Sequence, residues 1–196
     1  MARPQSPDYD KRRDAIVAAA ASLYAKRGFQ GASVADLAKA CRTSKSLVYH
    51  YFPSKEDILY EVMAAHLGQL VDAADDAMRV GDARERLHAL ALSFMRLYEG
   101  AQHSHKVLLN ELDNLPPERR AEVVRKQRRV IAVVETLIRE IRPEAGAITL
   151  PLTMLFFGMI NWTHTWFRPS GPISAEAVGE LAVDLLLNGL DDLQAS

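Results

Sequence analysis

Ser33-Val34-Ala35-Asp36-Leu37-Ala38-Lys39-Ala40, then Cys41-Arg42-Thr43, then Ser44-Lys45-Ser46-Leu47-Val48-Tyr49-His50-Tyr51-Phe52-Pro53, is the stretch on which the fold turns. Each half opens on a serine, a residue whose hydroxyl caps a helix start by accepting a backbone N–H bond. Val34, Leu37 and Ala38 recur at the spacing of one helix face. The second half must stop near Phe52, because Pro53 pushes the residue before it out of the helical region. Two short helices around a three-residue turn are expected, the layout of a helix-turn-helix, although a purely structural helical hairpin has the same spacing.

Side-chain chemistry favours the first alternative. In the second helix Ser44 and Ser46 are small and polar enough to approach base edges, while Lys45 and His50 reach phosphate or base acceptors. Tyr49 can bond a phosphate through its hydroxyl, Leu47 can pack on a thymine methyl, and Val48 and Phe52 face inward. Lys55 adds a charge expected to meet the nucleic-acid backbone. With the flanking Ser33, Arg42 and Thr43, the expected DNA-facing set is Ser33, Arg42, Thr43, Ser44, Lys45, Ser46, Leu47, Tyr49, His50 and Lys55.

Working outward, apolar residues recur at spacings of three and four throughout, punctuated by nine prolines. The chain reads as all-α, with about nine helices: 9–27 ending at Gly28, 34–40, 45–50, 54–80, 82–99, 104–112, 116–141, 147–167 and 174–193. Ser54 with Asp57 resembles a capping box at the start of a long helix. The expected division is an N-terminal DNA-binding domain over 1–53 and a C-terminal effector-binding and dimerisation domain over 54–196. The 196 residues are 48% apolar and 25% charged, which excludes wholesale disorder. The most apolar stretch, 148–167, is interrupted by Pro151, Asn161 and His164, so no membrane association is expected. The start of the chain shows no apolar run with a small-residue cleavage site, and the expected location is the cytoplasm. Net charge is −1, yet residues 1–60 hold ten Lys/Arg against six acids and the remainder 14 against 19. A basic first third on an acidic body fits a polyanion partner for that third alone. Arg3, Lys11, Arg12 and Arg13 form a basic arm, as consistent with a solvated tail as with DNA contact. The one cysteine, Cys41, is expected as a small core residue.

Gly28-Phe29, Ser33-Val34-Ala35-Asp36-Leu37-Ala38, Ser44-Lys45 and Val48-Tyr49-His50-Tyr51-Phe52-Pro53-Ser54-Lys55-Glu56-Asp57-Ile58-Leu59 together resemble the DNA-binding domain of the TetR/AcrR family of transcriptional regulators. The resemblance spans about residues 9–62. It implies a homodimer that binds a palindromic operator in double-stranded DNA and releases it when a small molecule enters the C-terminal domain. This chain departs from the family pattern at Arg42-Thr43, where Gly-Val is usual, and at Ser46, where glycine is usual. An arginine in that turn either changes the turn or accepts a backbone strain of about 1 kcal/mol. The bases read therefore do not carry over from the family.

Residues 147–167 are apolar nearly all round, as is the last helix with Val178, Leu181, Ala182, Leu185, Leu186, Gly189, Leu190 and Leu193. Such helices need cover on more than one side, and the family resemblance implies a four-helix dimer interface built from these two. Gly158 and Gly189 are expected to allow close helix contact. The segment 158–172 also resembles the TetR-like regulators that answer to acyl-CoA thioesters in fatty-acid, phenylacetate or sterol-ring degradation. The expected effector site is Phe94, Met95, Tyr98, Met154, Phe157, Asn161 and Trp162 around an acyl group, with Arg96 and Arg168 on phosphates. An efflux-pump regulator answering to hydrophobic drugs, and a helical ligand carrier that ignores DNA, remain as alternatives. No phosphate loop, nucleophile elbow or acid/base constellation points to an enzyme or to a cofactor. His103, His105, Glu111 and Asp113 lack the spacing of a metal site.

Overall fold

Several helix starts are set by side chains that fold back onto their own backbone. Ser33 Oγ accepts from the Asp36 N–H at 3.1 Å while the Asp36 carboxylate accepts from the Ser33 N–H at 3.0 Å, closing a capping box. Ser44 Oγ accepts from the Leu47 N–H, Ser54 Oγ from the Asp57 N–H, and the Asp82 carboxylate from the N–H groups of Arg84 and Glu85. These caps begin α2 (Val34–Ala40), α3 (Lys45–Tyr51), α4 (Lys55–Ala77) and α5 (Ala83–Gly100). Before them α1 (Pro7–Arg27) stops at Gly28, whose φ of 73° suits glycine and whose N–H donates to the Tyr24 carbonyl at 2.8 Å.

The computed structural model describes residues 7–192, with side chains over 8–188. The chain continues as α6 (Gln102–Asn110), α7 (Pro117–Ile141), α8 (Thr149–Asn161), α9 (Thr163–Trp166) and α10 (Ala175–Asp192), and no strand occurs among the described residues. The expected nine helices are present, with the one read over 147–167 broken in two. The break has a local cause. Thr163 Oγ1 donates to the Ile160 carbonyl at 2.5 Å, Thr165 Oγ1 donates to the Trp162 carbonyl at 2.8 Å, and His164 Nδ1 meets the Asn161 carbonyl at 2.7 Å. Three side chains in a row thus compete with the backbone ladder. The stretch Pro143–Trp166 is apolar enough on average to cross a membrane, with a mean hydropathy of 1.4. It is no single helix, however, and α8 has 13 residues where a span needs about 20.

Two compact units emerge. The first runs through Leu67 and takes in His103–Val124; the second holds Gly68–Gln102 and continues from Arg125. The 103–124 segment is tied into the first unit by the Gln30 amide donating to Asn114 at 2.8 Å, the Tyr60 hydroxyl donating to Glu122 at 2.5 Å, and an Arg119–Asp57 ion pair. Tyr24, Phe29, Leu37, Val48, Phe52 and Met63 are among its buried side chains. In the second unit α10 packs on α5 so closely that a Cβ at Gly179 would sit 3.2 Å from the Ala91 carbonyl oxygen. That glycine makes a close approach within the chain, whereas a Cβ at Gly158 meets nothing within 4 Å in the chain. Gly189 and Leu190 lie beyond the described side chains, and Leu193 beyond the described residues.

His66 of α4 and His105 of α6 are buried together in the first unit, Nε2 to Nδ1 at 3.2 Å. Burial lowers the His66 pKa from 6.5 to about 4. Above pH 6.5 the ring is neutral in both folded and unfolded chain, so its full contribution to stability is present. As pH falls from 6.5 towards 4, the unfolded chain takes up a proton that the folded chain refuses. Stability should drop by about 2 kcal/mol between pH 7 and pH 5 from this group alone. Urea midpoints at the two pH values check this, with His66→Leu expected to flatten the difference.

Candidate nucleic-acid interface

The short α3 is held from behind and bare in front. Val48 is fully buried and Phe52 nearly so, anchoring the helix, while Ser44, Lys45, Ser46, Tyr49 and His50 are exposed and Leu47 half-buried. Tyr49 is 49% exposed, unusual for a large aromatic side chain unless it has a partner elsewhere. His50 leans edge-on against Tyr9 of α1 and against Tyr51, with ring centroids 6.3 and 5.5 Å apart. The α1 to α3 contact is completed by Tyr9 on Tyr51 at 4.5 Å. Ser44 is occupied as the α3 cap and Ser33 as the α2 cap, so both hydroxyls also serve as structural acceptors.

The turn between the helices answers the question left by the sequence. Arg42 has φ +52°, the one non-glycine residue in the left-handed region among the described residues. The turn keeps the geometry that glycine favours, and the arginine accepts the strain. Its side chain is exposed and so is that of Lys45 three residues on, giving two cations beside the bare face of α3. Arg42→Gly should therefore raise unfolding free energy by about 1 kcal/mol in urea titrations. The same change should weaken any DNA complex in which this guanidinium meets phosphate.

Lys55, expected at the nucleic-acid backbone, has partners within the chain. Lys55 Nζ donates to the Phe29 carbonyl at 2.5 Å and sits 3.9 Å from the Phe29 ring centroid. Its charge is committed to fastening the start of α4 to the turn after α1, because a carbonyl and an aromatic face together outcompete solvent for a half-buried ammonium. Within the basic arm, Arg13 pairs with Glu61 at 2.6 Å and lies over the Phe52 ring, whereas Lys11 and Arg12 are exposed. Arg3 lies outside the described residues. Cys41 is half-exposed at the start of the turn, not in the core.

The expected effector residues divide into two groups. Phe94, Met95, Tyr98 and Phe157 are buried in the second unit, where the Phe94 ring lies 6.1 Å from Tyr98 and 6.5 Å from Phe157. The Tyr98 hydroxyl donates to Asn161 Oδ1 at 2.9 Å, and burial raises its pKa so that it stays a neutral phenol. Met154 and Trp162 are not with them. They are 50% and 65% exposed, on the same open side of α8 as Leu150 and Leu155. The spacing of 150, 154, 155, 162 and 166 carries this stripe along one side of the segment, while Phe156 and Ile160 turn inward. Leu181 and Leu185 continue an open apolar face on α10. Arg96 is paired with Glu176 at 2.9 Å, which lowers the Glu176 pKa, and Arg168 is exposed in the segment after α9.

Residues 16–62 match the model of bacterial regulatory proteins of the tetR family, and residues 80–190 match a tetracyclin repressor-like C-terminal domain. A TetR-family transcriptional regulator from Bordetella parapertussis is 36% identical, with 94% of this chain and 98% of that one covered and a TM-score of 0.87. The HTH-type transcriptional repressor KstR2 of Mycolicibacterium smegmatis is 27% identical over 97% of each chain. AibR, in complex with isovaleryl coenzyme A and operator DNA, is 25% identical, with 90% of this chain and 98% of that one covered at a TM-score of 0.81.

Proposed function

Because the chain belongs to the TetR family of bacterial regulatory proteins, we propose that it is a ligand-responsive transcriptional repressor that binds a palindromic operator as a homodimer and leaves it when an acyl-CoA thioester binds. The observation that carries the DNA half of this reading is α3: a seven-residue helix anchored by Val48, with polar and cationic side chains bare on the other side. Arg42 and Lys45 supply phosphate contacts, Ser46 and Leu47 meet base edges, and Tyr49 adds a hydroxyl at the backbone. The open apolar stripes of α8, α9 and α10 support the homodimer, since a monomer gains nothing from leaving two tryptophans and four leucines in water.

The effector class is supported by AibR, which is in complex with isovaleryl coenzyme A, and the sign of regulation by KstR2, a repressor with which this chain aligns over nearly its whole length. In this chain Phe94, Met95, Tyr98 and Phe157 supply an apolar environment for an acyl group, with the Tyr98 to Asn161 pair as its polar element. The long α4 starts in the first unit and ends in the second, so a ligand that shifts its C-terminal half acts on the helix that carries Lys55 at its other end. Release requires only that the ligand bind the shifted state better than the DNA-bound state. Such a regulator works in the cytoplasm, where its operator is.

Fluorescence anisotropy of labelled DNA from upstream of the gene, at one stated salt concentration, tests this with and without a panel of acyl-CoA thioesters. Tight binding reversed by one thioester supports both halves. Tight binding untouched by the panel keeps the regulator and discards the effector class, and binding no tighter than to random DNA in a genome-wide selection sinks the repressor.

A further inference from the structure

The first unit contains a cavity of about 450 Å³ between α1 and the helix-turn-helix, a volume in the range of small-molecule sites. Its floor is hydrocarbon, from Ile16 and two neighbouring alanines of α1 and from Leu47 of α3. Arg12 and Arg42 stand at its walls with the hydroxyl-bearing Tyr51, and no carboxylate lines it. Neither guanidinium forms an ion pair among the described residues. An apolar floor under two uncompensated guanidiniums has one obvious complement. A carboxylate satisfies an arginine fork bidentately, and an attached hydrocarbon body covers the floor.

We propose that this cavity is a binding site for a small carboxylate with an apolar body of medium-chain fatty-acid size, separate from any effector held by the second unit. A nucleic-acid phosphate would use the two arginines but leave the Ile16 and Leu47 floor wet, which is why the amphipathic anion is the better fit. The site does not depend on the chain acting as a repressor. If it does so act, occupancy and DNA exclude each other, because Arg42 and Leu47 belong to both surfaces.

Cys41 borders the cavity, is half-exposed and is the only cysteine of the sequence, so its alkylation reports on this place alone. The full-length protein is treated with iodoacetamide in the presence of rising decanoate, with decanol as the uncharged control and a random-sequence DNA duplex as the polyphosphate control. Decanoate is expected to slow alkylation at least fivefold and saturably, decanol less than twofold. Arg12→Gln with Arg42→Gln should remove the protection, read as the ratio of alkylation rates without and with decanoate, while keeping the melting temperature near that of the parent. Absence of protection by decanoate overturns the proposal, as does equal protection by decanol. Protection that survives in the double variant means that decanoate acts from elsewhere and also overturns it. Protection by duplex DNA but not by decanoate assigns the cavity to the nucleic-acid backbone instead.

Discussion

Leu155→Glu combined with Leu185→Glu is expected to yield a folded monomer that no longer holds its operator. The two leucines are 62% and 58% exposed, so the chain itself loses little by the change and its far-UV circular dichroism should be preserved. Their neighbours make the case for a partner. Apart from Tyr49 and Val80, every large apolar side chain exposed among the described residues lies between Ile148 and Leu185. Covering a leucine contributes about 1.5–3 kcal/mol, and in a twofold dimer each substitution counts twice while placing carboxylates in a dry interface. The dimer dissociation constant should rise at least about a thousandfold, which sedimentation velocity at micromolar concentration will register as loss of the dimer. A palindromic operator presents half-sites about 34–36 Å apart, so a monomer engages one and loses the second. A double variant that still sediments as a dimer would move the interface to another face.

The second large effect concerns DNA. Arg42→Ala with Lys45→Ala should lower operator affinity at least a hundredfold near physiological salt. The change removes four cationic contacts from a dimer, and the slope of log affinity against log salt should become shallower by about 3–4. Leu47→Ala should leave that slope alone and change the preferred base at one position in each half-site. Lys55→Ala provides the contrast. Its ammonium is spent on the Phe29 carbonyl and ring, so the change should cost about 1–2 kcal/mol of folding stability and leave the salt slope intact. Equal flattening by Lys45→Ala and Lys55→Ala in anisotropy titrations would show that this division of roles is mistaken.

Much of the architecture was legible because its signals are local. Ser33, Ser44, Ser54 and Asp82 cap helices within three residues of themselves, and Gly28 and Pro53 end them without help from distant chain. Features that depend on distant partners were not legible. Nothing in the 54–62 run shows that Lys55 turns toward a carbonyl 26 residues earlier. The break at Trp162 needed three side chains to find carbonyls behind them in a sequence otherwise apolar enough for one helix. Likewise, Met154 and Phe157 lie three residues apart, and the sequence alone did not tell the open side of α8 from the buried one. Only the α5 to α10 packing singled out Gly179, since the signal of a glycine between helices is the carbonyl it approaches.

The discontinuity of the first unit bears on how the chain is made. Its first portion ends at Leu67 and the segment that completes it ends at Val124, some 57 residues later. At synthesis rates of about 5–20 residues per second the ribosome needs roughly 3–11 s to deliver that segment. The locally capped helices can form during the interval, but His66 has no His105, Gln30 no Asn114 and Tyr60 no Glu122 until those residues are made in its second half. Slowing translation between codons 68 and 124 should therefore lengthen the life of a nascent state with an unfinished core, and would make that stretch the natural place for a holding chaperone to engage.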